Sequence, residues 1–279
     1  MKTARTSPRE RFEHRLIQSG YYKRTADNVR SRFYPSKQPS PLMAGTFVPP
    51  LRSGSALDIR EGDFPVYGGG QHSLGYRDPM LYQGLQEYIV TPKRDKELSP
   101  IYAFDNNNHS LFGWLEAFHT GLLEAGSLLI RIDAHDDLDS PPPEIEARIV
   151  KGRIPALKEG HDITRSLWIR EFVWPAYDWG LFKKIHTVLS PGAVMVMGPP
   201  GNQGFEITDY VKRMLSSLKH EKKNRIAVDI DVDVTDYKLE LILAIAEIAG
   251  VVTMASSPSC IDQRTGIERE RELVDTLAA

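Results

Sequence analysis

From residue 100 onward, short apolar runs alternate with stretches whose apolar residues recur every three or four positions. The apolar runs predict buried strands at 101–104, 127–132, 193–197, 225–230 and 251–255. The periodic stretches predict helices at 109–124, 163–173, 207–219, 239–249 and 267–277. Because strands that alternate with helices form right-handed βαβ units, the pattern predicts an α/β protein. We expect a mostly parallel sheet between two helical layers, a three-layer α/β/α arrangement.

The first 95 residues are less regular. Proline, serine and glycine interrupt the chain between residues 35 and 70, and helical spacing of apolar residues occurs at 9–18 and 81–90. We therefore expect an irregular N-terminal elaboration over residues 1–95 and a regular core over residues 96–279. The two parts are expected to form one compact domain.

Three of the predicted strands end in aspartate or histidine. Residues 105–109 follow the first strand and residues 133–137 the second, while Asp229, Asp231 and Asp233 lie at the end of the fourth. Ligands of open α/β sheets bind beyond the carboxyl ends of parallel strands, so these side chains are expected in a cleft. Taken singly, a strand-end aspartate is equally well explained as a helix cap or a turn residue.

The three alternating aspartates are harder to explain as turn residues, because alternate positions of a strand point to one face. Unpaired carboxylates on a buried face would repel one another, and burying them would cost several kcal/mol. Divalent cations remove that conflict, and carboxylates with one or two imidazoles suit Mn²⁺. The groups at the strand ends outnumber the ligands of one ion, which indicates two ions about 3.5 Å apart.

The segment Asp133-Ala-His135-Asp136-Asp137 resembles the DAHxD motif of the ureohydrolases, the arginase and agmatinase family. A strand-end histidine 24 residues upstream and a DxD strand end downstream complete that family's pattern. The resemblance covers residues 100–265 and implies an arginase-like or deacetylase-like fold with two Mn²⁺ ions per chain. The metal ligands that it implies are His109, Asp133, His135, Asp137, Asp229 and Asp231.

Two positions in this pattern have alternatives. The pair Asp231 and Asp233 also fits the family's DxDxxD string, but we prefer the pair that begins at Asp229, which lies closer to the end of the strand. His72, in the string GGQHSL, imitates the histidine of the family's GGDHS segment. It lies 61 residues before the DAHxD motif, too far for one strand–helix–strand step, so His109 is the expected ligand.

The strings FDNNNHSLFGWLEA, LIRIDAHDDL, DIDVD and SSPSCIDQ are more similar to a divergent branch, the peptide arginases. Those enzymes convert arginine side chains of ribosomally made precursor peptides to ornithine. Arginases of free amino acids hold the α-amino and α-carboxylate groups with a loop after DAHxD, and residues 138–144 do not align with that loop. An arginine within a peptide has no free α groups, so this difference favours a peptide substrate.

The resemblance implies hydrolysis of a guanidinium by a hydroxide that bridges the two ions, with release of urea. Asp137 would accept a hydrogen bond from the hydroxide in addition to binding metal. Asp262 is the candidate partner of the guanidinium, with an ordinary turn aspartate as the alternative. His161 is the candidate proton donor to the leaving amine, with a solvent-facing histidine at a helix start as the alternative.

Three other functions stay open. The first is a ureohydrolase of a small guanidino compound such as arginine or agmatine. The second is an amide-hydrolysing deacetylase on the same fold, which normally holds a single zinc ion. The third is a metal-stabilised module that binds peptides without catalysis.

Composition and charge limit the cellular location and the partners that we expect for this protein. The 279 residues carry 35 basic and 37 acidic side chains, and no apolar run reaches the roughly 18 residues of a membrane-spanning helix. The single cysteine, Cys260, excludes an internal disulfide, and the start lacks the apolar segment of a secretory signal, so we expect a cytoplasmic protein. Residues 1–37 carry ten basic and three acidic side chains, which suits an acidic partner or a peptide leader. The resemblance is compatible with a homo-oligomer, and no motif indicates nucleic acid.

Overall fold

The computed structural model describes residues 51–68, 80–93, 99–135, 137–167, 169–189, 193–197, 207–234, 239–258 and 260–279. The basic arm at residues 1–37, the helix expected at 9–18 and the alternative ligand His72 lie outside these ranges.

The described residues form ten strands and seven α-helices. The strands are β1 (Leu51–Ser53), β2 (Glu61–Gly68), β3 (Met80–Leu85), β4 (Tyr88–Pro92), β5 (Pro100–Phe104), β6 (Ser127–Asp133), β7 (Phe182–Leu189), β8 (Ala193–Met197), β9 (Ile226–Asp231) and β10 (Val251–Ala255). The helices are α1 (Ser110–His119), α2 (Pro143–Glu146), α3 (Leu157–Thr164), α4 (Val173–Asp178), α5 (Ile207–Leu218), α6 (Leu239–Glu247) and α7 (Gln263–Ala278). None of these helices is both long and apolar enough to cross a membrane.

Eight strands form the central sheet, in the order β1-β4-β5-β10-β9-β6-β7-β8. The five strands from β5 to β7 in this order run parallel, whereas β4 is antiparallel to β5 and β8 is antiparallel to β7. The remaining strands, β2 and β3, pair antiparallel in a separate sheet. Helices flank the central sheet, with α1 beside β5 and β10, α7 beside β4 and β10, and α4 beside β7. The prediction of an α/β protein with a mostly parallel sheet is confirmed, and the arrangement is compatible with three layers.

The three central strands, β6, β9 and β10, are buried along their whole length. A strand that is covered on both faces has a continuous run of apolar residues in its sequence. For this reason the predicted bounds of these three strands differ from the observed bounds by at most one residue. Arg131, Asp133, Asp229 and Asp231 are exceptions, since they carry charge and are buried with the apolar residues. These four charged side chains require partners inside the protein.

The helix predicted at 163–173 is wrong. The chain instead forms α3 and α4, separated by turns. Gly160 obscured α3 in the sequence, because glycine is a poor helix former. In the structure it lets α3 approach α1 closely, since a Cβ at this position would lie 2.4 Å from Leu115 Cδ1.

The helix predicted at 81–90 is also wrong, and the described residues 51–68 and 80–92 include the strands β1 to β4. Leu81, Leu85 and Tyr88 have helical spacing, but pairing of β3 with β2 and of β4 with β5 overrides it. Strand β7 was not predicted, because Lys183 and Lys184 interrupt its apolar pattern. The division at residue 95 into two functional parts stays a prediction.

Residues 51–93 are joined to the C-terminal part by side chains as well as by strand pairing. The buried Lys93 Nζ donates hydrogen bonds to the carbonyls of Ala246 (2.7 Å) and Ala249 (2.6 Å), at the end of α6. Arg271 on α7 donates to the carbonyl of Ile59 at 2.6 Å. A cation at the C-terminus of a helix satisfies carbonyls that have no partner within the helix.

Candidate metal centre

Four potential metal ligands meet at the carboxyl ends of β6 and β9. Asp133 ends β6 and Asp231 ends β9, while His135 and Asp233 each follow two residues later. The ligand atoms of these four residues all lie within 4.8 Å of one another. They meet because β6 and β9 are parallel neighbours, with Arg131 in register with Asp229 two residues before both ends. We call these four residues the metal-ligand group.

The two chain segments turn in the same way after their strands. The backbone N–H of His135 donates to Asp133 Oδ1 at 2.7 Å, and the backbone N–H of Asp233 donates to Asp231 Oδ1 at 3.0 Å. Such turns, in which an aspartate accepts from the backbone two residues later, bring the third side chain back beside the first. As a result, His135 Nδ1 lies 3.0 Å from Asp233 Oδ2 and 3.7 Å from Asp133 Oδ1.

The group is buried on one side and open on the other. The three aspartates are buried, whereas 27% of the His135 side chain is exposed. Burial raises the pKa of Asp133 and of Asp231 well above the ordinary value, and the neighbouring carboxylates of Asp137 and Asp233 raise them further. Burial lowers the pKa of His135, but Asp133 and Asp233 outweigh it and bring the value to about 11. Positive charge is therefore strongly favoured at this position.

The metal-ligand group fits a divalent cation. Asp233 Oδ1 is buried and has no hydrogen-bond partner among the described residues, so it offers a lone pair to a ligand. Carboxylate and imidazole ligands without obligatory thiolate suit Mn²⁺ and similar ions. A cation would also relieve the repulsion between the buried carboxylates.

Two further side chains, those of Arg131 and Asn107, form hydrogen bonds and ion pairs with the buried carboxylates. Arg131, fully buried on β6, contacts Asp133 and Asp137 through Nη2 and lies 3.1 Å from Asp229 Oδ2 through Nε. Asn107 Nδ2 donates to Asp231 Oδ2 at 2.6 Å, to Asp137 Oδ2 at 2.9 Å and to Asp133 Oδ2 at 3.5 Å. Partners of this kind orient ligand carboxylates and set their basicity.

Three of the six expected ligands lie outside the metal-ligand group. Asp229 accepts from Arg131 Nε and from Thr253 Oγ1 (2.6 Å), on the neighbouring strand β10. Asp137 has a positive φ of 48° and is bound by Arg131; although burial raises its pKa, the guanidinium groups nearby hold it below the ordinary value. His109 is buried, with Nδ1 hydrogen-bonded to the hydroxyl of Tyr88. Of the two registers considered, the structure thus gathers the alternative pair, Asp231 with Asp233.

The structure places His161 and Asp262 in other surroundings. His161 on α3 stacks on Phe112 of α1, with ring centroids 3.3 Å apart, and burial lowers its pKa to about 4. Its imidazole is uncharged at neutral pH and is a weak acid there. Asp262 is exposed and caps α7 by accepting from the backbone N–H of Thr265 at 3.2 Å. Their proposed roles, as proton donor and guanidinium partner, stay predictions.

Sequence reasoning missed several residues of this region. Arg131 carried a signal, because it is a charged residue in the apolar string LLIRID on the same strand face as Asp133. Glu270 carried one too, because it interrupts the apolar stripe of α7. It is fully buried with no hydrogen-bond partner for its carboxylate among the described residues, and burial raises its pKa well above the ordinary value. Asn107 belongs to the polar segment 105–109 that was expected in the cleft, but its contacts with the carboxylates depend on other segments of the chain.

Cys260 lies beside the group. Its sulfur lies within 4.8 Å of ligand atoms of His135 and Asp233, and the residue is partly exposed. The sequence showed no base next to this cysteine, because the histidine is 125 positions away along the chain. Chain folding after β10 brings the two together.

Comparison with known proteins leaves the family open: no family model matches the chain, and no curated protein matches it significantly. A functional conclusion therefore rests on the geometry of the site and on the motifs themselves.

Proposed function

We propose that the protein is a manganese-dependent hydrolase of C–N bonds with an arginase-like fold. As its substrate we propose an arginine side chain within a ribosomally made precursor peptide, converted to ornithine with release of urea in the cytoplasm. The observation that carries this proposal is the metal-ligand group, in which Asp133, His135, Asp231 and Asp233 meet at the carboxyl edge of the sheet. That edge is where open α/β sheets bind their ligands.

The proposed chemistry divides between the ion and the chain. If the metal-ligand group holds a divalent cation, that cation would lower the pKa of a water molecule towards neutrality and so supply a nucleophile. Arg131 and Asn107 keep Asp133 and Asp231 oriented through the hydrogen bonds described above. This preorganisation matters because ligand carboxylates that rotate freely would lose affinity and geometry.

The charge of the site supports a cationic substrate. Among the described residues, six buried aspartates lie at this edge of the sheet, and Arg131 is the one buried arginine beside them. Asp137 already lies against two guanidinium groups, those of Arg131 (2.7 Å) and Arg170 (3.8 Å). Carboxylates pair with guanidinium groups in a charge-assisted, oriented way, which suits an arginine side chain.

The segment after the DAHxD motif supports a peptide rather than a free amino acid. The Leu138 carbonyl accepts from Trp174 Nε1 at 2.7 Å, and the Asp139 N–H donates to the Arg170 carbonyl at 2.9 Å. Three consecutive prolines, residues 141–143, follow. These hydrogen bonds fix the position of the segment, and residues 138–144 do not align with the loop that holds the free α groups in arginases of free amino acids.

A second candidate is favoured by one specific observation. The described residues bring together one group of four carboxylate and imidazole ligands, and the other possible ligand group, His135 and Asp233 with Cys260, shares two residues with it. A single-ion site of this kind also suits an amide hydrolase of the deacetylase type. The two candidates differ in product, since the first releases urea and the second releases a carboxylic acid.

The experiment incubates the manganese-loaded full-length protein separately with arginine-containing peptides, free arginine, agmatine and peptides that carry acetyl-lysine. We expect urea and loss of CH₂N₂ from peptide arginine only. Asp231→Asn is expected to abolish turnover, whereas Asp275→Asn, which makes the same change at an exposed position of α7, is expected to retain it.

Each other result identifies a different function. Turnover of arginine or agmatine alone would make the protein a small-molecule ureohydrolase. Release of acetate without urea would establish the deacetylase. Ion binding without turnover of any of these substrates would contradict both enzymatic proposals.

A further inference from the structure

We infer that each chain holds one divalent ion, because the guanidinium of Arg131 and the side-chain amide of Asn107 occupy the position that a second ion would need. The inference rests on the proposed metal centre and departs from the pair of ions that the family resemblance implies. It does not depend on which substrate is hydrolysed.

Three carboxylate oxygens lie close to the nitrogen atoms Arg131 Nη2 and Asn107 Nδ2. Asp137 Oδ2 lies 2.7 Å from Arg131 Nη2 and 2.9 Å from Asn107 Nδ2. Asp133 Oδ2 also faces both groups, and Asp231 Oδ2 lies 2.6 Å from Asn107 Nδ2. A second ion would need these same oxygens at about 2.0–2.2 Å, the usual metal–carboxylate distance. Neither nitrogen could then keep its position.

Arg131 is held firmly where it lies. Its side chain is fully buried on the central strand β6, with Nε against Asp229 and the guanidinium 4.9 Å above the ring of Phe172. Strand register also fixes the pair, since Arg131 and Asp229 are direct neighbours on β6 and β9. Moving the guanidinium away would leave buried carboxylates without their partner, which is strongly unfavourable.

Asn107 is oriented as firmly. Ser257 Oγ donates to Asn107 Oδ1 at 2.8 Å, so the amide presents its Nδ2 hydrogens to the carboxylates. Asn107 also belongs to the short turn of 3₁₀ helix that leads into α1. Both donors are therefore preorganised for the position between Asp133, Asp137 and Asp231.

The charges are consistent with one ion. A guanidinium remains charged at every accessible pH, so Arg131 compensates Asp133, Asp137 and Asp229 permanently. The metal-ligand group keeps the features of an open position: the partner-free Oδ1 of Asp233 and the partly exposed imidazole of His135. The metal-ligand group can therefore bind an exchangeable cation, whereas Arg131 and Asn107 occupy the position between Asp133, Asp137 and Asp231.

The test counts ions and examines their magnetic coupling in the full-length protein. We expect about one Mn²⁺ per chain by elemental analysis after desalting, with the electron paramagnetic resonance spectrum of an isolated Mn²⁺ ion. His135→Ala is expected to lose that ion. Two ions per chain with an exchange-coupled spectrum would overturn the inference.

A pair of variants tests the roles of Arg131 and Asn107. In Arg131→Met combined with Asn107→Ala we expect the ion count to rise towards two, whereas in Arg153→Met, whose arginine is exposed and paired with Glu159, it stays at one. A folded double variant that still binds one ion would overturn the role given to these two residues. If the double variant fails to fold, the count and spectrum of the wild type decide.

Failure of the inference is distinguishable from failure of the proposed function. Two bound ions together with urea release would overturn the inference alone. One ion without urea or acetate would overturn the function alone. A protein that binds no Mn²⁺ would overturn both.

Discussion

Asp229, Asp231 and Asp233 alternate along one segment, yet each has a different environment. Asp229 is compensated by Arg131 and Thr253, and Asp231 is bound by Asn107. Asp233 lies beyond the end of β9, next to the partly exposed His135. The position of each residue along the chain accounts for this difference, because Asp229 lies within β9 beside neighbouring strands, whereas Asp233 lies beyond the end of the strand.

The reactivity of Cys260 can show whether a cation is bound next to Asp233 and His135. Because its sulfur lies within 4.8 Å of ligand atoms of His135 and Asp233, a cation there would cover the thiol or bind it. We predict that saturating Mn²⁺ slows alkylation of Cys260 by iodoacetamide several-fold. Intact-protein mass spectrometry measures this directly, since the chain has one cysteine.

His135→Ala is the control for this measurement, because its alkylation rate is expected to be independent of Mn²⁺. Equal alkylation rates of the wild type with and without Mn²⁺ would contradict the placement of the ion beside Cys260.

At the scale of elements, the turn from β10 into α7 supports the site from one side. Ser257 in this turn orients Asn107, and Ser256 N–H donates to the Phe104 carbonyl at the end of β5 at 3.0 Å. Helix α7 passes directly over this turn at Gly266. Close packing of α7 therefore fixes the position of a residue that contacts three carboxylates.

Gly266→Ala tests that packing. A Cβ at residue 266 would lie 2.5 Å from the Ser256 carbonyl oxygen, so alanine would push α7 away from the sheet. Glycine-to-alanine changes within helices usually stabilise by up to about 1 kcal/mol, but here we expect a loss of about 1–3 kcal/mol. Urea denaturation measures the change, with Thr276→Ala at an exposed position of α7 as the control. A neutral or stabilising effect of Gly266→Ala would contradict the close approach.

Strand β7 contributes a pH dependence through His186. Burial lowers the pKa of this residue to about 3, and Lys184 adds to the effect. An unfolded chain has a histidine pKa of about 6.5, so below that pH the unfolded state binds a proton that the folded state does not. The stability that depends on His186 is therefore complete above pH 6.5 and is lost as the pH falls towards 3. Between pH 7 and pH 5 the loss is about 2 kcal/mol.

His186→Leu is expected to lose less unfolding free energy than the wild type between pH 7 and pH 5, by about that amount. Urea denaturation at the two pH values measures the difference. His220→Gln, at an exposed position, is expected to behave like the wild type. Equal losses in the wild type and in His186→Leu would show that this histidine is not held neutral.

Prediction from sequence succeeded where a single segment determines the outcome. Strands β5, β6 and β10 are continuous apolar runs, and Asp133 and His135 belong to one short motif. Prediction from sequence failed where contacts between distant segments of the chain determine the structure. Strand pairing determined β3 and β4, and cross-strand neighbours gave Arg131 and Asn107 their partners. Asp229 differs from Asp233 through Arg131 and Thr253, which neighbouring strands of the assembled sheet bring to it.

At the scale of the whole molecule, residues far apart in the chain form one edge of one sheet. The carboxyl ends of β5, β6, β9 and β10 supply the metal-ligand group and its supporting residues. Strands β1 and β4 extend the same sheet, and Lys93 and Arg271 tie the segments next to them to α6 and α7. The proposed hydrolysis requires a divalent cation at this edge.

Anomalous diffraction from a crystal of the full-length protein soaked in MnCl₂ tests that claim most directly. The account predicts one manganese peak, bounded by the side chains of Asp133, His135, Asp231 and Asp233. The absence of a peak there, or a peak bounded instead by His109, Asp137 and Asp229, would contradict it.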